Sequence, residues 1–146
     1  MEQNVVISIK GVQKYENAQP DAMELVTRGT MARDEAGYRL VYQESEMTGL
    51  EGTSTIIRVE PEQVILTREG EFTTQMVFQE GRRHLSMYNT PYGSMTVGVN
   101  TRHLLAQVDE GGGRIEIDYA IEIDHAVAGR NLFSIEVKPE QRAGRA

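Results

Sequence analysis

The chain contains no cysteine and no tryptophan. Without thiols, disulfide staples, zinc–thiolate centres and cysteine nucleophiles are all excluded, and a reducing compartment suits such a chain. Proline is scarce, at 4 residues, so little interrupts long extended segments. No stretch approaches the ~18 consecutive apolar residues of a membrane helix. The opening Met1-Glu2-Gln3-Asn4-Val5 lacks the basic region and apolar run of a secretory signal. The expected location is cytoplasmic, with no membrane partner. Positive charge is also short. Lys and Arg number 15 against 22 Asp and Glu, a net charge of -7. That balance favours solubility and disfavours nucleic acid, because phosphate contacts need a basic patch and single strands need stacking aromatics. Arg82-Arg83-His84 is basic but has no such aromatics interleaved.

What the chain does have is alternation. In residues 114–125, Ile115, Ile117, Tyr119, Ile121 and Ile123 occupy every second position, and Glu116, Asp118, Glu122 and Asp124 fill the positions between. Successive strand side chains point to opposite faces, so this is a strand with one apolar and one acidic face. A helix cannot separate residues with period two. The same rhythm recurs at Val5/Ile7/Ile9, Met23/Leu25/Thr27/Met31, Tyr38/Leu40/Tyr42, Thr53/Thr55/Ile57/Val59, Val64/Leu66/Arg68, Phe72/Thr74/Met76/Phe78, Met95/Val97/Val99 and Phe133/Ile135/Val137. Residues 84–89 form a further strand, with either Leu85/Met87 or Ser86/Tyr88 as its inward row. The segment 101–107 is the best helix candidate, but the pattern favours strand there, with an irregularity between Gly98 and Thr101. Gly29, inside its strand, marks a bend or bulge. Turns are expected at Asp34-Glu35-Ala36-Gly37, Gly49 to Gly52, Glu60-Pro61-Glu62, Glu69-Gly70-Glu71, Glu80-Gly81-Arg82, Thr90-Pro91-Tyr92-Gly93, Glu110-Gly111-Gly112-Gly113 and Gly129-Arg130-Asn131.

About ten strands spaced by short turns indicate an antiparallel meander. Amphipathic strands leave exposed sheet edges, which closure removes. The expected fold is all-β: one closed up-and-down barrel over residues 1–138, with residues 139–146 as a flexible tail. A two-sheet sandwich is the competing solution, disfavoured because no long crossover is visible.

Leu40-Val41-Tyr42-Gln43-Glu44, Leu66-Thr67-Arg68-Glu69-Gly70, Met76-Val77-Phe78 and, above all, Tyr88-Asn89-Thr90-Pro91-Tyr92-Gly93 resemble the YwiB-like proteins in order and spacing. The likeness runs from the first strand to about Val137. It implies a calycin-like, lipocalin-related barrel and carries no activity, because that family is a domain of unknown function. The absence of tryptophan also removes the Gly-x-Trp signature of secreted lipocalins, so their ligands are not carried over.

Chemistry rests on polar residues that follow the inward parity. Glu44 continues the row of Leu40 and Tyr42, and Arg68 that of Val64 and Leu66. If these rows face the lumen, an acid and a guanidinium lie inside it or at its mouth, where each needs a partner or a ligand. Arg68 could clamp a carboxylate or phosphate, with Tyr42 and Tyr88 supplying hydroxyls. The plainer alternative is that both sit at strand ends in water, or pair with each other. Thr90-Pro91-Tyr92-Gly93 is either a rim loop that contacts ligand through Tyr92 or only a rigid turn. His84, His103 and His125 lack metal spacing, and the acidic row lacks the compact oxygen cage of a calcium loop. No phosphate loop or nucleophile elbow is present, so no catalytic residue, cofactor or metal is assigned. The expected function is binding of a small, partly apolar molecule in the lumen, with Tyr42, Glu44, Arg68, Tyr88 and Tyr92 as ligand-binding residues and Tyr38, Tyr42, Leu66, Met76, Phe78 and Tyr119 as wall positions. The alternative is a non-catalytic interaction module, in one form a homodimer, suggested by outward Val6, Val41 and Ile65.

Overall fold

A computed structural model describes residues 2–14, 19, 21–44, 52–70, 73–90 and 92–140, with the backbone alone at 88–90. Both the expected flexible tail beyond Glu140 and the expected Gly49–Gly52 turn fall largely outside these residues. The strands are β1 (Glu2–Lys14), β2 (Asp21–Arg33), β3 (Tyr38–Gln43), β4 (Ser54–Val59), β5 (Val64–Glu69), β6 (Thr74–Phe78), β7 (Arg83–Thr90), β8 (Gly93–Asp109), β9 (Gly112–Ile123) and β10 (Ala126–Pro139). They form one ten-stranded antiparallel sheet in the order β6-β5-β4-β3-β2-β1-β10-β9-β8-β7. The expected all-β barrel is therefore present, and residues 101–107 are strand.

The barrel is nearly closed. Pairing of β1 with β10 joins the two halves of the meander. Between β6 and β7, neighbours in the chain, no ladder forms among the described residues. The reason lies in their turn. Gly81 N donates to Thr101 O at 2.9 Å and Thr101 N donates to Arg82 O at 3.1 Å, so the turn docks on β8 instead of zipping β6 to β7.

That docking meets a bulge. Thr101 pairs with Tyr119 and His103 with Asp118, which leaves Arg102 as an extra residue. Upstream, the odd positions Val97, Val99 and Thr101 are buried. Downstream, the even positions Leu104, Ala106 and Val108 pack against the core. One inserted residue reverses which parity faces inward. Glu80 Oε1 accepts from Leu104 N at 3.0 Å and lies 3.1 Å from His103 Nδ1, so the β6–β7 turn is tied to this bulge.

Several expectations need correction. The β9–β10 turn is at Asp124-His125, not at Gly129-Arg130-Asn131. Both turn residues have positive φ, 48° and 72°, the conformation of a tight two-residue hairpin. Asp124 is bonded to Thr96 in both directions: its N donates to Thr96 O at 2.9 Å, and its Oδ1 accepts from Thr96 N at 3.2 Å. Gly129 and Asn131 then lie on the buried face of β10. Gly29 marks no bulge, since its pairing with both neighbours is regular. A Cβ there would lie 2.4 Å from Val41 O, so glycine permits the close approach of β2 to β3. In β7, where two rows were open, Leu85 and Met87 point outward and are 53% and 70% exposed, so the Ser86 row, with His84, is the inner one. The Asp34 to Gly37 turn forms as expected. Asp34 Oδ1 accepts from Gly37 N and Ala36 N, both at 2.9 Å, and these bonds hold its carboxyl below the usual carboxylate range.

Strand directions alternate, so the C-terminal ends of β1, β3, β5, β7 and β9 gather at one end of the barrel. The other end is packed. Val5, Ile7, Leu40, Ile57, Val64, Ile115 and Ile135 are essentially inaccessible there. Burying each such side chain contributes roughly 1.5–3 kcal/mol relative to exposure. At that end Gln3 and Arg33 also reach Glu110, at 2.9 and 3.3 Å.

Candidate functional site

Opposite the packed end, the lumen is not filled. A cavity of about 350 Å³ is lined by residues from β1, β2, β3, β5, β6, β9 and β10, together with Glu44. One wall is polar. Tyr42 pairs with Thr55, and Thr55 with Arg68, so strand register places these three side chains in one row across β3, β4 and β5. Glu44 lies two residues beyond Tyr42 on the same face. Its N donates to Thr53 O at 2.8 Å, which continues the β3–β4 pairing past the end of β3. The wall formed by β1, β2, β6, β9 and β10 is mainly apolar, with Leu25, Met76, Ile121 and Phe133 half-buried along it.

The polar wall is tightly organised at the acid. Glu44 is 7% exposed and accepts a 2.6 Å hydrogen bond from Thr55 Oγ1, itself fully buried. The Tyr42 hydroxyl belongs to the same group, with Thr55 directly opposite Tyr42 on β4 and Glu44 two residues on. Burial pushes its pKa up to about 12, the Glu44 charge adds to the rise and Arg68 opposes it. Tyr42 is therefore a neutral hydroxyl at any physiological pH. Across the cavity, Asn131 Nδ2 donates to the Tyr119 hydroxyl at 3.0 Å. The Tyr119 ring stands edge-on to Phe78, with centroids 4.7 Å apart and planes at 61°.

Arg68 differs from its neighbours. Its Nε is buried with no hydrogen-bond partner. None of the ion pairs among the described residues includes it. Among the described residues, the other buried polar side-chain atom without a partner, Thr101 Oγ1, belongs to a residue that does not line the cavity.

The structure thus brings together Tyr42, Glu44 and Arg68 of the expected site. It does not bring Tyr92 to them: that side chain is 100% exposed and lines no part of the cavity. The Tyr88 side chain lies outside the described residues; its backbone pairs with Met95. Of the expected wall positions, Met76 and Tyr119 line the cavity, Leu66 and Phe78 belong to the core, and Tyr38 lies beside Met31 and Glu110 at the packed end. Thr55 was legible as an inward residue but not as the hydrogen-bond partner of Glu44. Asn131 was missed because its segment reads as a turn. Among the described residues, no three His, Asp or Glu side chains are grouped so as to hold a metal ion, and no helix is long and apolar enough to cross a membrane.

The crystal structure of the ywiB protein from Bacillus subtilis superimposes on this barrel with a TM-score of 0.82. The match covers 96% of this chain and 94% of that one at 21% identity, a likeness that shows the fold. No functionally curated protein matches the chain. A family model described as a domain of unknown function, DUF1934, matches residues 7–135, which include every residue lining the cavity, and the chain belongs to that family.

Proposed function

We propose that this protein binds a small, partly apolar molecule in the open half of its barrel. The observation that carries this reading is the cavity, which an apolar wall and a polar row line together. Its volume sits at the small end of the ~300–1,000 Å³ typical of ligand pockets. A ten-stranded barrel is also wider than an eight-stranded one, whose interior can already hold a small ligand. The reading is of a carrier or sensor of such a molecule in a reducing, cytoplasmic setting, which the cysteine-free sequence suits.

The test uses Gly11, which lies against the cavity. A Cβ there would sit 3.9 Å from Met23 and Phe133, an ordinary contact, so a larger side chain fits at its root and fills the space beyond. Native mass spectrometry of the purified protein is expected to show a copurifying small mass that Gly11→Leu removes. No bound mass, together with no cavity-residue NMR shifts on titrating small aliphatic and aromatic compounds, would retire the reading.

A second reading, a non-catalytic interaction module, draws on one observation. Leu85 and Met87 stand exposed on β7, which borders the open seam, and Val127 is 68% exposed on β10. The outward Val6, Val41 and Ile65 are half-buried and offer less. Light scattering after size exclusion separates the readings, since a strict monomer with no captured partner argues against this one.

A further inference from the structure

We infer that the occupant of the cavity is a small amphipathic monocarboxylate, its carboxylate paired with the Arg68 guanidinium and its apolar body lying against the apolar wall of β2, β6, β9 and β10. This rests on the lumen-binding reading and names its ligand class.

Three observations lead there. The first is unmet donor capacity. A guanidinium presents its donors in a fixed fork, and a buried donor without an acceptor is costly. Arg68 Nε is in that state, and Arg68 is one of the residues that line the cavity. A carboxylate matches the fork with two parallel acceptors.

The second is that the adjacent acid does not answer this need. Glu44 and Arg68 both act on Tyr42 through their charges, yet they form no ion pair within 4 Å among the described residues. Glu44 instead accepts from the Thr55 hydroxyl at 2.6 Å. The acid has a hydroxyl donor in Thr55, while Arg68 Nε is left for an incoming acceptor. A cationic ligand would find the acid already engaged and Arg68 repelling it.

The third is charge count. Asp21 and Glu44 are the acids lining the cavity, and Arg68 is its cation. Two acids beside one guanidinium favour the smaller negative charge, so a monoanion, matched one to one with Arg68, is tolerated better than a dianion. A phosphate monoester, close to two negative charges, would meet two carboxylates and a single guanidinium. The apolar wall around Leu25, Met76, Ile121 and Phe133 asks for a hydrocarbon or aromatic body on the same molecule.

The test titrates the full chain with decanoate, 3-phenylpropionate, their methyl esters and decyl phosphate, following backbone amide shifts of Tyr119, Asn131 and Phe133. On the unaltered protein at least one acid is expected to bind about tenfold or more tighter than its ester, and decanoate tighter than decyl phosphate. In Arg68→Gln the acid–ester difference is expected to vanish. Arg68→Lys is expected to retain part of it, since the charge remains and the fork does not. Acid and ester binding the unaltered protein equally, with the same cavity amides moving, would overturn the monocarboxylate assignment and leave lumen binding standing. Saturable binding that moves amides elsewhere and survives Gly11→Leu would overturn both. So would the absence of binding by any of the five compounds. The acid–ester comparison needs no variant, so an Arg68 substitution that fails to fold does not blunt it.

Discussion

Glu44 and Thr55, eleven residues apart across the β3–β4 hairpin, share a 2.6 Å hydrogen bond, with Thr55 fully buried and Glu44 nearly so. The bond is short because its acceptor is a carboxylate. It ties the polar wall of the cavity to the first hairpin of the β3–β6 half-barrel, so the site and the fold depend on the same contact.

Thr55→Val keeps the shape of this side chain and removes the donor. It is expected to cost about 1–3 kcal/mol, because Glu44 remains buried with one donor fewer. The check is the urea midpoint of the variant against the unaltered chain at constant m. A change below about 0.5 kcal/mol would show that the bond carries little stability.

Tyr42 makes stability fall in alkali. Its hydroxyl titrates near 12 in the folded chain and near ~10 when unfolded. The unfolded state therefore releases its proton first. The stabilisation is fully present below about pH 10 and is lost as pH rises towards about 12, a difference of about 2–3 kcal/mol. Tyr42→Phe is expected to flatten that portion of the stability–pH curve. Tyrosinate absorbance should show one hydroxyl fewer titrating late; an unchanged late phase would assign the shift elsewhere.

Gly29→Ala is expected to destabilise by about 2–3 kcal/mol, although alanine suits a strand no worse than glycine. The new Cβ would meet Val41 O at 2.4 Å and the Ile7 Cδ1 methyl at 2.8 Å. The methyl can turn aside, but the carbonyl cannot move without straining the β2–β3 ladder. Gly11→Ala is the control, since nothing lies closer than 3.9 Å there, and it should be near neutral. Thermal melts of the two variants make the comparison.

Arg102 tests the bulge. Arg102→Ala changes only an exposed side chain and should stay within about 0.5 kcal/mol. Deleting Arg102 restores strict alternation through β8, turning either Val97, Val99 and Thr101 or Leu104, Ala106 and Val108 away from the core. It should cost more than about 4 kcal/mol or abolish folding, as circular dichroism would show. A deletion as stable as the substitution would mean that the register shift is not needed.

The local pattern revealed the strands and their inward rows wherever one parity held from end to end. Tyr38, Leu40 and Tyr42 needed no partner to declare their face, and Glu44 and Arg68 followed by simple extension of the row. It failed where parity breaks or is ambiguous. Arg102 is an ordinary exposed residue whose role as an insertion appears only against Asp118 and Tyr119 on β9. Asp124-His125 lacks glycine, so its turn was hidden behind a more conspicuous glycine five residues on. That displaced turn concealed Asn131. Leu85 and Met87 look like core residues until β8 and β9 supply a core without them.

The sequence by itself determined that this chain is one-sided sheet, because side-chain alternation is a property of the extended backbone and acts over a few residues. It also put an acid and a guanidinium on lumen-facing rows. Only the tertiary structure decided that Thr55 serves Glu44 while Arg68 Nε is left without an acceptor, and that a cavity stays open beside them. Which donor meets which acceptor, and how much space remains, depend on strands distant in the chain being set side by side in one register. Alternation along a single strand cannot encode that.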